Sequence, residues 1–124
     1  MTDTLLAVKD LTITFSGQTV IDRMHFKIRR NTLTTFLGPS GSGKTTVLRA
    51  IAGLNRQISG TIVLDGKPIQ ELAVNQRDIG MVFQSYALFP NLSVFDNVAY
   101  GLHVRKVATA EIEAQVAAML QTVD

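Results

Sequence analysis

The sequence contains no cysteine and no tryptophan, and only three prolines in 124 residues. Without cysteine there is neither a disulfide nor a thiolate metal site, which fits a reducing compartment without establishing one. Charge imbalance is equally scarce. Twelve Lys and Arg against ten Asp and Glu leave a formal net charge of +2, too little to argue for a nucleic-acid or lipid surface. No uninterrupted apolar run approaches the roughly 18 residues needed to cross a bilayer, and Met1-Thr2-Asp3-Thr4 has no basic leader character. What is present is 46% hydrophobic and 18% charged content, which excludes the composition of a disordered chain. The expectation is a soluble, cytosolic chain with one compact core and no internal repeat.

Periodicity and punctuation then organise the chain. Leu6, Val8, Leu11, Ile13 and Phe15 mark a strand from Leu5 to Phe15 with an irregularity at Lys9-Asp10, and Ser16-Gly17-Gln18 reads as a turn. Met24, Phe26 and Ile28 alternate with polar residues, giving a second strand and an antiparallel β unit. Leu33 to Leu37 reads as a short strand buried on both faces, and Lys44 to Ala52 as a helix stopped by Gly53. Thr61 to Leu64 is a strand ending in the hairpin turn Asp65-Gly66, and Ile79 to Phe83 is the last strand. From Ser93 the period lengthens to that of a helix. Ser93 caps it, with Asp96 three residues on and Val94, Val98 and Leu102 as its stripe. A second helix follows Thr109, with Ile112, Val116, Met119, Leu120 and Val123 on one face and Glu111 near its positive end. That pattern is still running at Asp124, as in a fragment.

The residues that carry chemistry are GPSGSGKT, Gly38 to Thr45, which match G-x-x-x-x-G-K-[ST] between an expected strand and an expected helix. Glycine permits backbone geometries that aim the N–H groups of Ser40, Gly41, Ser42, Gly43, Lys44 and Thr45 into one concavity, where an anion fits. The helix N-terminus adds partial positive charge, Lys44 neutralises β- and γ-phosphate oxygens, and the Thr45 hydroxyl can ligate Mg²⁺. Thr46 belongs to the same first helical turn. The reading is a nucleotide-phosphate loop, and a small P-loop kinase is one chain that carries such a loop.

A second and longer signal is IGMVFQSYALFPNLSVFDNVAYGL, Ile79 to Leu102. With the octet, Phe15 and the Arg77-Asp78 lead-in, it closely resembles the Q-loop region of ATP-binding-cassette transporter ATPases, and the resemblance runs from about Leu5 to the end of the chain. Within that family the sequence is most similar to ATPase subunits of bacterial importers for ferric iron, polyamines, sugars or sulfate. The resemblance implies an α/β P-loop NTPase core with an N-terminal antiparallel β subdomain and the start of a helical subdomain, incomplete here. Residues 1–90 would form the first part and 91–124 the truncated second.

The same resemblance implies ATP and Mg²⁺ as cofactors, with Phe15 stacking on adenine and Gln84 touching Mg²⁺ and the attacking water beside Lys44. A glutamine amide suits that role because its carbonyl ligates a hard cation while its NH₂ remains free for water. Tyr86, Leu88, Phe89 and Pro90 form an apolar patch implied to meet a coupling helix of the transmembrane permease subunits. A second ATPase subunit would complete a nucleotide sandwich, and the subunit would lie on the inner membrane face through the permease.

The chain also departs from the pattern of the family it resembles. Asn31-Thr32 stands where relatives commonly carry Gly-Glu, and Asn tolerates the left-handed turn. No LSGGQ-like signature, Walker B strand or switch histidine occurs before Asp124. The 124-residue chain alone is therefore expected to be inactive, and the alternative to an importer subunit is a truncated, non-hydrolytic binding or interaction protein. His25 and His103 are expected to be solvated rather than catalytic.

Overall fold

The computed structural model describes residues 3–123, which divide into two compact units, Met1–Met81 and Val82–Asp124. In the first unit, β1 (Thr4–Phe15) and β2 (Gln18–Arg29) form an antiparallel hairpin. Ser16 and Gly17, with φ of 50° and 77°, supply the two left-handed positions that a two-residue turn needs to match the strand twist. β3 (Ile58–Leu64) pairs antiparallel with the other edge of β1, and Asp65-Gly66 turns the chain into β4 (Lys67–Pro68), giving the sheet order β2-β1-β3-β4. The expected irregularity at Lys9-Asp10 is a real break in register, with Asp10 at φ 53°. Asn31 takes φ 58°, so the Asn-Thr turn holds its left-handed geometry, and the Thr32 hydroxyl donates to Arg29 O at 2.7 Å.

The alternation along β1 buries Leu6, Val8, Leu11 and Ile13, and against them pack Ile21, Ile62 and Ile69 with Val47, Ala50 and Ile51 of α1 (Lys44–Ala52). The helix thus sits on the apolar face of the antiparallel sheet. Two expected strands do not form: Leu33 to Leu37 and Ile79 to Phe83 have no regular secondary structure and join no sheet among the described residues. Leu33 is 96% exposed, Leu37 90% and Val82 85%, the reverse of burial on both faces. A two-sided apolar strand exists only between neighbouring strands, and the described residues supply none for either segment. Phe36 is the exception in its segment, packing edge-on to Phe26 with ring centroids 5.4 Å apart.

The second unit contains α2 (Val94–Val104) and α3 (Thr109–Val123). Ser93 caps α2 as expected, its hydroxyl accepting from Asp96 N at 3.0 Å. At the other end Lys106 turns left-handed, and Val107 N donates to Leu102 O at 3.0 Å, while both side chains pack against the small helical core. The small core joins Ala99 to Ile112 and Val116, with Leu102 and Leu120 at its margin. The expected stripes are only partly buried. Val94, Val98, Met119 and Val123 are exposed, because a pair of helices covers only one narrow face of each, and on α2 the buried residue is Ala99.

One ion pair fastens the end of β2 to the β3–β4 turn: Arg30 Nη2 donates to Asp65 Oδ1 at 2.6 Å. That hydrogen bond first, and the guanidinium charge second, hold the Asp65 carboxyl below its ordinary value of 3.8. The bridge therefore contributes in full above that ordinary value, and its contribution disappears as pH falls through the lower folded-state value. Asp65→Asn is expected to flatten the loss of stability below pH 3.8 while changing stability near neutrality only slightly. Denaturant unfolding at stepped pH measures both limbs, and an unchanged acid limb would show that the pair does not contribute.

Candidate functional site

The glycine-rich octet leads directly into α1, and the geometry of the junction depends on glycine at two positions. Gly41 and Gly43 have φ of 83° and 98°, and a Cβ on Gly43 would lie 2.6 Å from Cδ1 of Ile21 in β2. The loop therefore rests against the sheet where only a hydrogen fits. A Cβ on Gly38 would meet Ser42 Oγ at 2.6 Å, and Ser42 N donates to Pro39 O at 3.1 Å, so Gly38 to Ser42 curl on themselves.

Gly43 is the N-cap of α1 and offers no side-chain cap, nor does the first turn contain an acidic residue. The first intrahelical bond runs from Val47 N to Gly43 O, so helix geometry leaves the N–H groups of Lys44, Thr45 and Thr46 without an acceptor inside the helix. These donors, with the positive end of the helix dipole, form a place for an anion. Lys44 Nζ lies over the same loop, donating to Gly38 O and, at 3.2 Å, to Pro39 O. Its charge has no carboxylate partner among these bonds. Ser42, Gly43 and Lys44 also border an open cavity of about 350 Å³ whose apolar wall includes Phe26, Phe36 and Val47.

The far end of α1 is closed as thoroughly as its beginning is open. Gly53 turns left-handed, its N–H donates to Ala50 O, and Leu54 N reaches Arg49 O at 2.9 Å. Arg77, only 2% exposed, completes the cap: Nη1 donates to Ala50 O and Ile51 O at 3.0 Å each, Nε to Leu72 O at 3.0 Å, and Nη2 to Gln70 O at 3.2 Å. Burial, and secondarily the charge of Arg56, lowers the Arg77 pKa from its ordinary value, but the guanidinium stays charged and complements the negative end of the helix. The sequence singled out Arg77 only as a lead-in to the following motif. Its function as a clasp rests on backbone carbonyls, those of α1 lying 26 and 27 residues away, and a backbone carbonyl carries no residue signature.

Phe15 ends β1 at the hairpin turn, 46% exposed, and is not among the residues bordering the cavity beside the loop. Gln84 belongs to the second unit, exposed in a turn closed by Tyr86 N donating to Phe83 O at 3.0 Å. Tyr86, Leu88, Phe89 and Pro90 are exposed in that unit, with the Phe89 ring 4.5 Å from that of Tyr100. His25 braces the β1 irregularity, accepting from Asp10 N through Nδ1 at 3.2 Å.

Residues 21–124 match the family described as ABC transporter. The chain belongs to the ABC transporter family. It is 48% identical over 122 residues to the Fe(3+) ions import ATP-binding protein FbpC of Photobacterium profundum, covering 98% of this chain and 35% of that protein. The protein of the same name from Vibrio cholerae is 47% identical over 119 residues, 96% of this chain and 34% of the relative. That of Escherichia coli is 46% identical over 117 residues, covering 94% and 34%. The chain thus spans about a third of the length of these relatives. Family membership accounts for the partial α/β P-loop architecture and sets aside the small-kinase reading.

The contact beneath Gly43 makes the loop testable as a structure. Gly43→Ala is expected to lower unfolding stability by about 3 kcal/mol, combining a strained left-handed residue with overpacking against Ile21. Ile21→Val removes the atom that is struck, and in the Gly43→Ala background it should restore about 1 kcal/mol. Calorimetric or denaturant unfolding of the two variants checks this, with full additivity of the two changes as the contrary result.

Proposed function

We propose that the chain is the nucleotide-binding N-terminal part of an ATPase subunit of an ABC importer, coupling ATP binding and hydrolysis to solute uptake. The observation that carries this reading is the open N-terminus of α1, where three uncapped N–H donors and the Lys44 ammonium converge at a glycine loop. The donor set fits a polyphosphate: charge, hydrogen-bond donors and backbone clearance coincide in Gly38 to Thr46. Lys44 would exchange its bonds to Gly38 O and Pro39 O for phosphate oxygens. Thr45, exposed at the head of the helix, would offer its hydroxyl to Mg²⁺, and the family resemblance is the ground for proposing Gln84 as a Mg²⁺ residue as well. A bound Mg²⁺ supplies neutralisation of the charge that develops on the transferred phosphoryl group.

Phe15 is proposed as the adenine platform, its half-exposed ring being available for stacking. Residues 1–90 then make the catalytic-core part and 91–124 the beginning of the helical subdomain. Tyr86, Leu88, Phe89 and Pro90 are proposed to meet the transmembrane permease, and a second ATPase subunit to complete each nucleotide site. The subunit would be cytoplasmic and held at the inner membrane face by the permease. Relatives named for Fe(3+) import support ferric iron as the transported solute.

In the full-length subunit, Lys44→Ala is expected to weaken ATP binding at least tenfold and abolish transport, because it removes the fixed cation at the phosphates. Phe89→Asp should leave ATP affinity within twofold of wild type and lose the permease complex. Nucleotide titration and copurification read the two effects separately. Wild-type affinity in the first variant, or an intact coupled complex in the second, would overturn the corresponding assignment.

Residues 1–124 alone are expected to show no ATP turnover above a Lys44→Ala control, since the open loop holds no group placed to activate water. Phosphate release with and without Mg²⁺ measures it. Steady, Lys44-dependent turnover would favour a self-sufficient NTPase.

A further inference from the structure

The second unit holds one side chain whose amide is engaged on both sides by a single loop. Asn97, in the first turns of α2, accepts from Phe89 N through Oδ1 at 2.8 Å. Its Nδ2 donates to Phe89 O at 3.1 Å, Leu92 O at 3.2 Å and Ser93 O at 2.9 Å. Phe89 therefore has both of its backbone groups paired with one amide, as a neighbouring strand would pair them. The orientation of the amide follows from the network, because the opposite flip would set Nδ2 against the Phe89 N–H and Oδ1 against carbonyl oxygens.

Tyr100 lies three residues farther along α2, on the same face as Asn97, and its ring meets the Phe89 ring. The loop is thus held at its backbone by Asn97 and at its side chain by Tyr100. What this double attachment presents outward is apolar: Tyr86 is 79% exposed and Leu88 69%. A loop fixed before it meets a partner forgoes less conformational entropy on docking than one that must be ordered on contact.

We propose that Asn97 is the positioning residue that holds the Phe89 loop in its partner-docking conformation. This rests on the reading above that the loop contacts the transmembrane permease. Asn97 touches neither nucleotide nor phosphate in this assignment; it acts through Phe89.

Two substitutions in the full-length subunit test it. Asn97→Ala removes both halves of the clasp and keeps a good helix former. Asn97→Asp keeps the acceptor for Phe89 N but turns a carboxylate toward three carbonyl oxygens, while an acid near a helix N-terminus suits the dipole. Hydrogen exchange at the Phe89 amide is expected to speed up at least tenfold in Asn97→Ala. In both variants recovery of the permease complex should fall about tenfold, with ATP affinity and helix content within twofold of wild type.

Wild-type exchange at Phe89 in Asn97→Ala would overturn the proposal, whatever happens to the complex. Faster exchange with an intact complex, while Phe89→Asp still loses it, would overturn the positioning role and leave the permease reading standing. Faster exchange with an intact complex in all three variants would overturn the permease reading and the positioning role with it. Loss of ATP affinity in step with recovery would mark general unfolding and likewise overturn it.

Discussion

A helix of nine residues does not hold together in water by its own hydrogen bonds, and α1 has only nine. It must also keep its N-terminus free of caps if an anion is to use the donors there. Support therefore comes from one face and the opposite end. Val47, Ala50 and Ile51 anchor the face on the sheet, and the buried Arg77 guanidinium closes the end by bonding Ala50 O and Ile51 O while Leu72 O and Gln70 O hold it in place. Those four bonds involve no carboxylate. A carboxylate would cancel the charge that complements the helix's negative end, whereas carbonyl oxygens satisfy the donors and leave the charge in place. The position of Lys44 is thus secured from the far end of its own helix.

Local chemistry made much of this legible from the residues alone. The hairpin turn at Ser16-Gly17, the left-handed Asn31, the octet feeding α1, the stop at Gly53 and the Ser93 cap each depend on one or two neighbouring residues, and each is where the sequence placed it. The failures share the opposite property. Leu33 to Leu37 and Ile79 to Phe83 have the composition of buried strands, but a strand of that kind is defined by neighbours, which residues 3–123 do not provide. The stripe on α2 placed Val94 and Val98 inward, yet they are exposed and Ala99 is the α2 residue buried against Ile112 and Val116. Arg77 and Asn97 were unremarkable as residues because their partners are backbone atoms. The identity of a backbone acceptor leaves no trace in the letters of a sequence.

The two units solve the same problem of termination by different means. α1 ends at glycine, for which a left-handed position costs no steric penalty. α2 ends through Lys106, a residue that takes that conformation at some cost, offset by the bond from Val107 N to Leu102 O and by the packing of both side chains on the helical core. In the second unit the cap itself contributes a hydrophobic contact, which matters more where the buried cluster is built from so few side chains.

The break in β1 has a bearing on how the chain finds its fold. The β1–β2 ladder shifts register between Val8 and Leu11, and the β1–β3 ladder shifts between Lys9 and Thr12, so the irregularity falls at one place on both edges of the same strand. Opposite it, Gly60 approaches so closely that an added Cβ would lie 2.2 Å from Asp10 O. Sliding either partner by one residue would turn its apolar side chains to the wrong face, and sliding β3 would also carry a residue bearing a side chain against Asp10 O, where only Gly60 fits. The bulge acts as a detent for β3: a mispaired third strand cannot seat, because the notch at Asp10 admits only the residue without a side chain.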